Sequence, residues 1–337
     1  MPGLISSVQQ FDRTSRLPDD VWNILRANAA RANLILPHAE KVFNIQKFVP
    51  GIDSNEQLWL VYTKPGTSSI TFILSSTEGA MGKYPVFIVP TIPLSELTPE
   101  LLEDSVEAFC DALLNEPGFQ KQRVFSIFSV DVVAEAFARA WKKLAGIEQE
   151  KERYYDAIFT RCSSDTFIPA VTTEDGAIER HAVTQDAPKI ATMCHDFAAT
   201  SPPFLLSHEK AAKEAELMIA NEQVWVLEMR DSDGELDVAT IVAVTRKSSD
   251  VAAITKVFTP AKWGRRGCAE RLVRHVCKEL LQTYKTIVLY VGVDNPARRV
   301  YARVGFKGLT EGSPLDDEVE HWVEIGFDQA KVDLGHW

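Results

Sequence analysis

One turn carries the sequence VFTPAKWGRRGCA, residues 257–269, between a predicted strand and a predicted helix. Gly264 and Gly267 let a ligand approach the backbone closely, and successive N–H groups at the start of a helix attract anions. Arg265 and Arg266 add positive charge. The turn therefore has the chemistry of a pyrophosphate site, although Gly-Arg-Arg-Gly turns also occur as simple helix starts.

The residues around this turn predict an α/β domain in the second half of the chain. Apolar residues recur at helical spacing along Cys268–Leu280, and Ser207 is a suitable cap for the helix that follows it. Asn295 is expected to cap a short helix, with Pro296 at its first position and Gly305 just past its end. Predicted strands lie at 178–183, 224–229, 238–245, 252–258, 286–293 and 321–327, and helices at 187–198 and 209–220.

The first half repeats a similar order of elements, which indicates a tandem duplication. Residues 129–131 (SVD) before 136–139 (AFAR) resemble 292–294 (GVD) before 300–303 (VYAR). Two α/β domains without common origin are the simpler interpretation. In either case the predicted domains are 1–165 and 176–337, with the N-terminal half packed on the C-terminal half. Predicted strands are 57–62, 70–74, 86–89, 124–130 and 155–161, and helices 99–114 and 131–144.

The equivalent turn of the first half has a different chemistry. It reads VPTIPLSELTP, residues 89–99, without a glycine or a cation. Its three prolines also remove three backbone N–H groups, so it cannot wrap a phosphate. If the halves share an origin, the first has lost its ligand.

Length and composition suit two soluble domains and exclude several classes. The chain has 337 residues, of which 45% are hydrophobic and 25% charged, and no apolar run approaches the roughly 20 residues that span a bilayer. Its first residues do not resemble a secretion signal. Five scattered cysteines without a Cys-x-x-Cys pair argue against a disulfide framework or a zinc site. We expect a cytoplasmic protein with no bound metal and no membrane partner.

The charge is unevenly distributed along the chain. A net charge of −11 argues against nucleic-acid binding. Residues 256–307, however, carry twelve basic and only three acidic residues. This surplus indicates either a local site for a polyanion or a solvated helix face.

Two motifs give the second half a specific resemblance. Residues 264–269 are similar to the cofactor loop Gln/Arg-x-x-Gly-x-Gly/Ala of the GNAT superfamily of acyl-CoA N-acyltransferases, with Gly264 in place of the usual Gln or Arg. Asn295-Pro296 followed by 301–306 (YARVGF) resembles the second signature of that superfamily. The two-domain layout is also similar to glycine N-acyltransferase-like and fungal GNAT proteins. The resemblance implies two tandem GNAT-like domains, each a mixed, mostly antiparallel sheet flanked by helices.

The resemblance also implies a cofactor site for acetyl-CoA or another acyl-CoA. The pyrophosphate would lie on N–H groups of the turn, the pantetheine arm would pair with the strand before it, and Asn295 would bond the arm from the other side. The expected cofactor-binding residues are Lys256, Val257, Phe258, Gly264, Arg265, Arg266, Gly267, Cys268, Ala269, Asn295 and Ala297.

The implied reaction is direct attack of an amine, from a small molecule or a peptide, on the thioester. Tyr301 is the candidate acid for the departing thiolate, although it also fits an apolar helix face. The strand before the turn offers no carboxylate as a base. Thr255, Glu228 and His321 each fit a structural role better. The alternative is a non-catalytic acyl-CoA-binding or interaction protein.

Overall fold

The computed structural model describes residues 7–12, 15–44, 57–169, 176–310, 312 and 319–335. The chain forms two compact units. Unit 1 consists of residues 1–156 and 321–337, and unit 2 of residues 157–320. The stretch between the two predicted domains, residues 166–175, lies partly outside the described residues.

The secondary structure alternates between strands and helices along the chain. The elements as far as residue 145 are β1 (Val8–Asp12), α1 (Asp19–Ala27), α2 (Leu36–Asn44), β2 (Leu58–Thr63), β3 (Ile70–Ser76), β4 (Glu78–Gly79), β5 (Gly82–Lys83), β6 (Val86–Pro90), α3 (Pro99–Asn115), β7 (Ser126–Val130) and α4 (Asp131–Ala145). The later elements are β8 (Tyr155–Ser163), β9 (Ile178–His181), α5 (Ala187–Ala199), α6 (His208–Ala220), β10 (Val224–Arg230), β11 (Leu236–Ala243), β12 (Arg246–Lys247), β13 (Val251–Ala253), β14 (Lys256–Phe258), α7 (Cys268–Leu280), β15 (Thr286–Gly292), α8 (Arg298–Val304) and β16 (Glu320–Gly326).

Unit 1 contains a mixed sheet in the order β1-β2-β3-β6-β7-β16. All neighbours in it are antiparallel except β6 and β7, which run parallel. Strands β6 and β7 are buried along their whole length, as expected of strands covered on both faces. The buried Arg31 donates from Nη1 to the carbonyl oxygens of Pro90 and Ile92, at 3.3 and 3.1 Å. These bonds occupy the carbonyl groups where β6 ends.

Unit 2 contains two sheets. One has the order β8-β15-β13-β12, and the other β14-β11-β10-β9. Only β13 and β15 run parallel in them; the other pairs are antiparallel. Helix α7 packs its apolar stripe into the core with Leu272, Val273 and Val276, which are fully buried. Mixed, mostly antiparallel sheets with flanking helices, as predicted, therefore occur in both units.

The division into units differs from the predicted domains, because each half contributes a strand to the other unit. Strand β8, predicted for the first half, pairs with β15 over seven residues. Strand β16, predicted for the second half, pairs with β7 over five residues. Pairing between strands that are far apart in the chain determines which unit each strand belongs to. The local sequence does not indicate this pairing.

The helix ends follow the local sequence closely. Ser207 caps α6 by accepting a hydrogen bond from the amide of Lys210 at 3.2 Å. The side chain of Asn295 accepts from the amide of Ala297 at 2.9 Å. Helix α8 nevertheless begins at Arg298 and not, as predicted, at Pro296. Gly305 ends it with φ +113°, where a Cβ atom would lie 2.0 Å from a backbone oxygen.

Candidate functional site

The predicted strand 252–258 is two strands, because the chain changes its pairing partner in the middle. The amide of Ile254 donates to the carbonyl oxygen of Val288 in β15 at 2.9 Å. The next amide, that of Thr255, donates to the carbonyl oxygen of Ala243 in β11, also at 2.9 Å. Strand β13 therefore pairs with β15, and β14 pairs with β11 in the other sheet.

This change of partner leaves a gap between β14 and the second half of β15. Strand β14 is the edge of its sheet, and residues 289–292 of β15 pair only with β8 among the described residues. Residues 251–254 are buried, whereas residues 255–260 are half-buried. An unpaired strand edge presents backbone N–H and C=O groups that an extended ligand can pair with.

The turn after β14 presents backbone amides to solvent. Residues 264–267 are exposed, and α7 begins directly after them at Cys268. Arg265 and Gly267 have positive φ angles of +60° and +76°. The amides of Arg265, Arg266 and Gly267 donate to no other residue that the structure describes. Such amides at a helix N-terminus form a concave site for an anion.

A buried tryptophan anchors this turn to β11. Trp263, only 2% exposed, donates from Nε1 to the carboxylate of Asp237 at 3.2 Å. The same carboxylate pairs with Lys262 at 2.5 Å and Lys189 at 2.9 Å. Burial alone would raise the pKa of Asp237, but hydrogen bonds from Lys262, Lys189 and Trp263 lower it to about 2. These contacts fix the first half of the turn, whereas its second half, residues 264–267, is exposed to solvent.

Six of the twelve cations of the basic segment have acidic partners. The pairs are Lys256 with Glu214, Lys262 with Asp237, Arg271 with Glu179, Arg274 and Arg303 with Glu270, and Lys285 with Asp250. Arg265 and Arg266 pair with no acid among the described residues. The guanidinium of Arg266 lies 5.0 Å from the centroid of the Trp263 ring. The exposed turn therefore carries two cations that no acid among the described residues compensates.

Asn295 and Ala297 lie between β15 and α8, beyond the open half of β15. Asn295 is exposed and uses its side-chain oxygen for the amide of Ala297. Its amide nitrogen is a donor that this bond does not use. Ala297 packs against the hydrophobic core of unit 2. This bond holds the Asn295 side chain in the segment that follows β15.

Tyr301 is a core residue of unit 2. It is 8% exposed and packs edge to face on Phe306, with ring centroids 5.9 Å apart. The same core includes Ile254, which lies between β13 and β14, and Val291 of β15, which borders the gap. The apolar helix face that the sequence indicates for Tyr301 is therefore present. The role of its phenol as an acid stays a prediction.

The three residues considered as a base have structural partners. The hydroxyl of Thr255 receives a bond from Thr245 at 3.0 Å. Glu228 forms two bonds with the guanidinium of Arg180, at 2.7 and 3.1 Å. His321 belongs to unit 1, where its ring lies between two aspartates, Asp131 and Asp156. These contacts agree with the structural role that the sequence indicates for all three residues.

The contact between Lys256 and Glu214, which joins β14 to α6, has no signal in the local sequence. The two residues are 42 positions apart, and no periodicity relates them. Only the folded packing of α6 beside β14 brings them together.

Comparisons with known proteins agree with this geometry. Residues 236–313, which contain the gap and the turn, match the family model of FR47-like proteins. No curated protein sequence matches the chain. A Drosophila protein of known structure superimposes with a TM-score of 0.59 at 14% identity, over 95% of this chain and 98% of that one.

Two further solved structures carry names that define the fold. A GCN5-related N-acetyltransferase from Sphaerobacter thermophilus has a TM-score of 0.54 at 15% identity, over 98% of both chains. A tandem GNAT protein from the clavulanic acid biosynthesis pathway has a TM-score of 0.50 at 13% identity, over 97% of this chain and 100% of that one. The predicted resemblance is confirmed: the chain has the tandem GNAT fold, and GNAT acetyltransferases use acetyl-CoA.

No helix within the described residues is long and apolar enough to cross a membrane. The same residues contain no group of three or more His, Cys, Asp or Glu side chains that could hold a metal ion.

Proposed function

We propose that the chain transfers an acetyl or short acyl group from acetyl-CoA, or another acyl-CoA, to an amine. The observation that carries this proposal is the gap beside β14, which leads directly into an exposed turn with free amides. An extended arm and a pyrophosphate are the two parts of CoA that such a gap and such a turn suit. The GNAT fold supports the same ligand.

The amides of residues 265–269 would hold the pyrophosphate. Arg265, Arg266 and Gly267 supply amides with no described acceptor. Cys268 and Ala269 supply the first amides of α7, where the helix dipole favours an anion. The two arginine side chains add positive charge to the rim. Gly264, despite replacing Gln or Arg, keeps this backbone arrangement open to a ligand.

Strand β14 would hold the pantetheine arm. Lys256, Val257 and Phe258 form the edge of their sheet, so their backbone groups can pair with an amide-containing arm as a further strand would. Asn295 would donate to the arm from the side of β15, and Ala297 would line that side.

Tyr301 would act where the thioester reacts. A neutral amine attacks the thioester carbonyl carbon, the C–S bond breaks, and the phenol donates a proton to the departing thiolate. No covalent intermediate with the chain is needed. The half-buried position of the gap keeps bulk water from the reacting groups.

Two measurements test the proposal. Calorimetry should show binding of CoA and acetyl-CoA to the purified chain, and free-thiol release should follow addition of a suitable amine. Absence of binding to both ligands would overturn the proposal. Binding without thiol release across a broad panel of amines would instead support the alternative, a non-catalytic acyl-CoA-binding protein.

A further inference from the structure

The ion pair of Lys256 and Glu214 lies at the closed end of the gap. Lys256 Nζ donates to Glu214 Oε2 at 2.7 Å, and the two side chains are 10% and 19% exposed. Lys256 is the first residue of β14, directly after the amides of Ile254 and Thr255 that change partner. The pair therefore stands where the two sheets of unit 2 begin to separate.

The surroundings of the pair are largely apolar. Lys256 Nζ lies 5.2 Å from the centroid of the Phe197 ring, which packs edge to face on Phe258 at 6.4 Å. The thiol of Cys194 contacts both charged groups, and burial is the main reason that its pKa is raised to about 12. The thiol is therefore neutral at pH 7. In such surroundings Glu214 is a carboxylate with little competition from water.

The direction of the arm along β14 brings the reacting end to this pair, and this step rests on the proposed function. A pyrophosphate on the turn after Phe258 starts the arm at the end of β14. The arm then runs back along β14 toward Lys256. The thioester consequently lies near residues 254–256, where the gap closes and where the side chain of Lys256 leads to Glu214.

We propose that Glu214 binds the acceptor as an ammonium ion and takes its proton. The N–H proton moves to the carboxylate, the nitrogen lone pair forms the C–N bond, and the C–S bond breaks. The leaving thiolate takes a proton from Tyr301. Glu214 then loses its proton to solvent, and the second proton that the attacking nitrogen gives up replaces the one lost by Tyr301, so each turnover releases one proton.

The acceptor class follows from this assignment. A primary amine that is a cation in solution satisfies a half-buried carboxylate, and the acidic remainder of the chain attracts it. Lys256 is a positioning residue, because it holds Oε2 and leaves Oε1 for the incoming ammonium.

Glu214→Gln tests the inference in the full-length chain with acetyl-CoA and putrescine, ethanolamine, glycinamide and a lysine-containing peptide. We expect kcat/KM for the best amine to fall about 100-fold at pH 7, the loss typical of a removed general base. Affinity for acetyl-CoA should not change. The loss should shrink at high pH, where the amine is already neutral. Glu216→Gln, an exposed position on the same helix, is the matched control.

Lys256→Met supplies a readout that a purely structural role would not affect. Methionine keeps the apolar length of the side chain but cannot donate to Glu214 Oε2, so the carboxylate loses the bond that positions it. We expect kcat/KM for the best amine to fall several-fold while affinity for acetyl-CoA stays unchanged; equal losses in both would mark a structural role.

Three outcomes separate this inference from the proposed function. Equal rates for Glu214→Gln and Glu216→Gln would overturn the role of Glu214 and leave acyl transfer standing. A wild-type chain that binds acetyl-CoA but releases no thiol with any of the four amines would overturn the inference too. A chain that does not bind acetyl-CoA at all would overturn both.

Discussion

Ser129 Oγ donates a hydrogen bond of 2.6 Å to the carbonyl oxygen of Ile88, across the parallel strands β7 and β6 of unit 1. In unit 2 the corresponding strands separate at Ile254 and Thr255. Arg31 occupies the carbonyl groups that follow β6. In unit 1, side chains of the chain itself thus bond to the carbonyl groups at this position, whereas unit 2 has a gap there.

This difference predicts one binding site per chain. Calorimetric titration with CoA should give a stoichiometry of one, because the side chains of Ser129 and Arg31 occupy carbonyl groups of β6 and of Ile92, and the turn after β6, residues 91–98, contains no glycine. A stoichiometry of two would contradict this account of unit 1.

Arg265→Gly should raise the melting temperature. A left-handed residue with a Cβ atom costs about 1–2 kcal/mol, which exceeds the roughly 0.5–1 kcal/mol that glycine costs through chain entropy. Arg265 has φ +60°, whereas Arg266 is not among the residues with positive φ. Arg266→Gly, which removes the same charge, should therefore lower the melting temperature. Equal shifts in thermal unfolding would show that the backbone of Arg265 stores no strain.

Gly267→Ala should weaken CoA binding more than Gly264→Ala does. Gly267 has φ +76°, so a Cβ atom there forces about 1–2 kcal/mol of strain or a change in the amides. Gly264 has an ordinary φ of −60°, and its Cβ atom would meet only a carbonyl oxygen at 3.1 Å. We expect roughly a tenfold loss of affinity for Gly267→Ala by calorimetry, since 1.4 kcal/mol corresponds to a factor of ten. The reverse order of losses would contradict the proposed anion site.

Asp237→Asn should destabilise unit 2 at neutral pH by about 2 kcal/mol. The pKa of Asp237 is lowered from 3.8 to about 2 in the fold. Its ionised form therefore adds stability above the unfolded pKa, and this contribution is lost as pH falls from about 4 to about 2. Thermal unfolding across this range should show the wild type and the variant converging in acid. A constant difference would exclude the ion pairs of Asp237 as its cause.

Tyr301→Phe should lower turnover far more than acetyl-CoA affinity, because it removes a proton donor and keeps the ring. We expect a loss in kcat of about 100-fold, within the range for a general acid. Tyr284→Phe, in the turn that follows α7, is the matched control. Parallel losses in kcat and affinity for Tyr301→Phe would indicate a packing role instead.

Local signals in the sequence predicted much of unit 2. Apolar spacing defined α7, Ser207 marked the start of α6, and Gly305 marked the end of α8. These features depend on backbone geometry within a few residues, which residue type largely determines. The turn at 264–267 was identified for the same reason. Whether it binds CoA stays a prediction.

Strand pairing and long-range side-chain contacts could not be predicted from the sequence. Residues 252–258 read as one strand in the sequence. The change of pairing partner at Ile254 does not alter the residue types, so the sequence gives no sign of it. The pairing of Lys256 with Glu214 depends on where α6 packs. The exchange of β8 and β16 depends on pairing between strands that are more than a hundred residues apart in the chain.

That exchange has a consequence for protein synthesis. Strand β7 leaves the ribosome long before residues 320–326, which supply its antiparallel partner. Until then β7 of the nascent chain has an unpaired edge. Such an edge can pair with strands of other chains and cause aggregation. A fragment ending near residue 165 would keep that edge permanently, so we expect the two halves to be expressible only as one polypeptide.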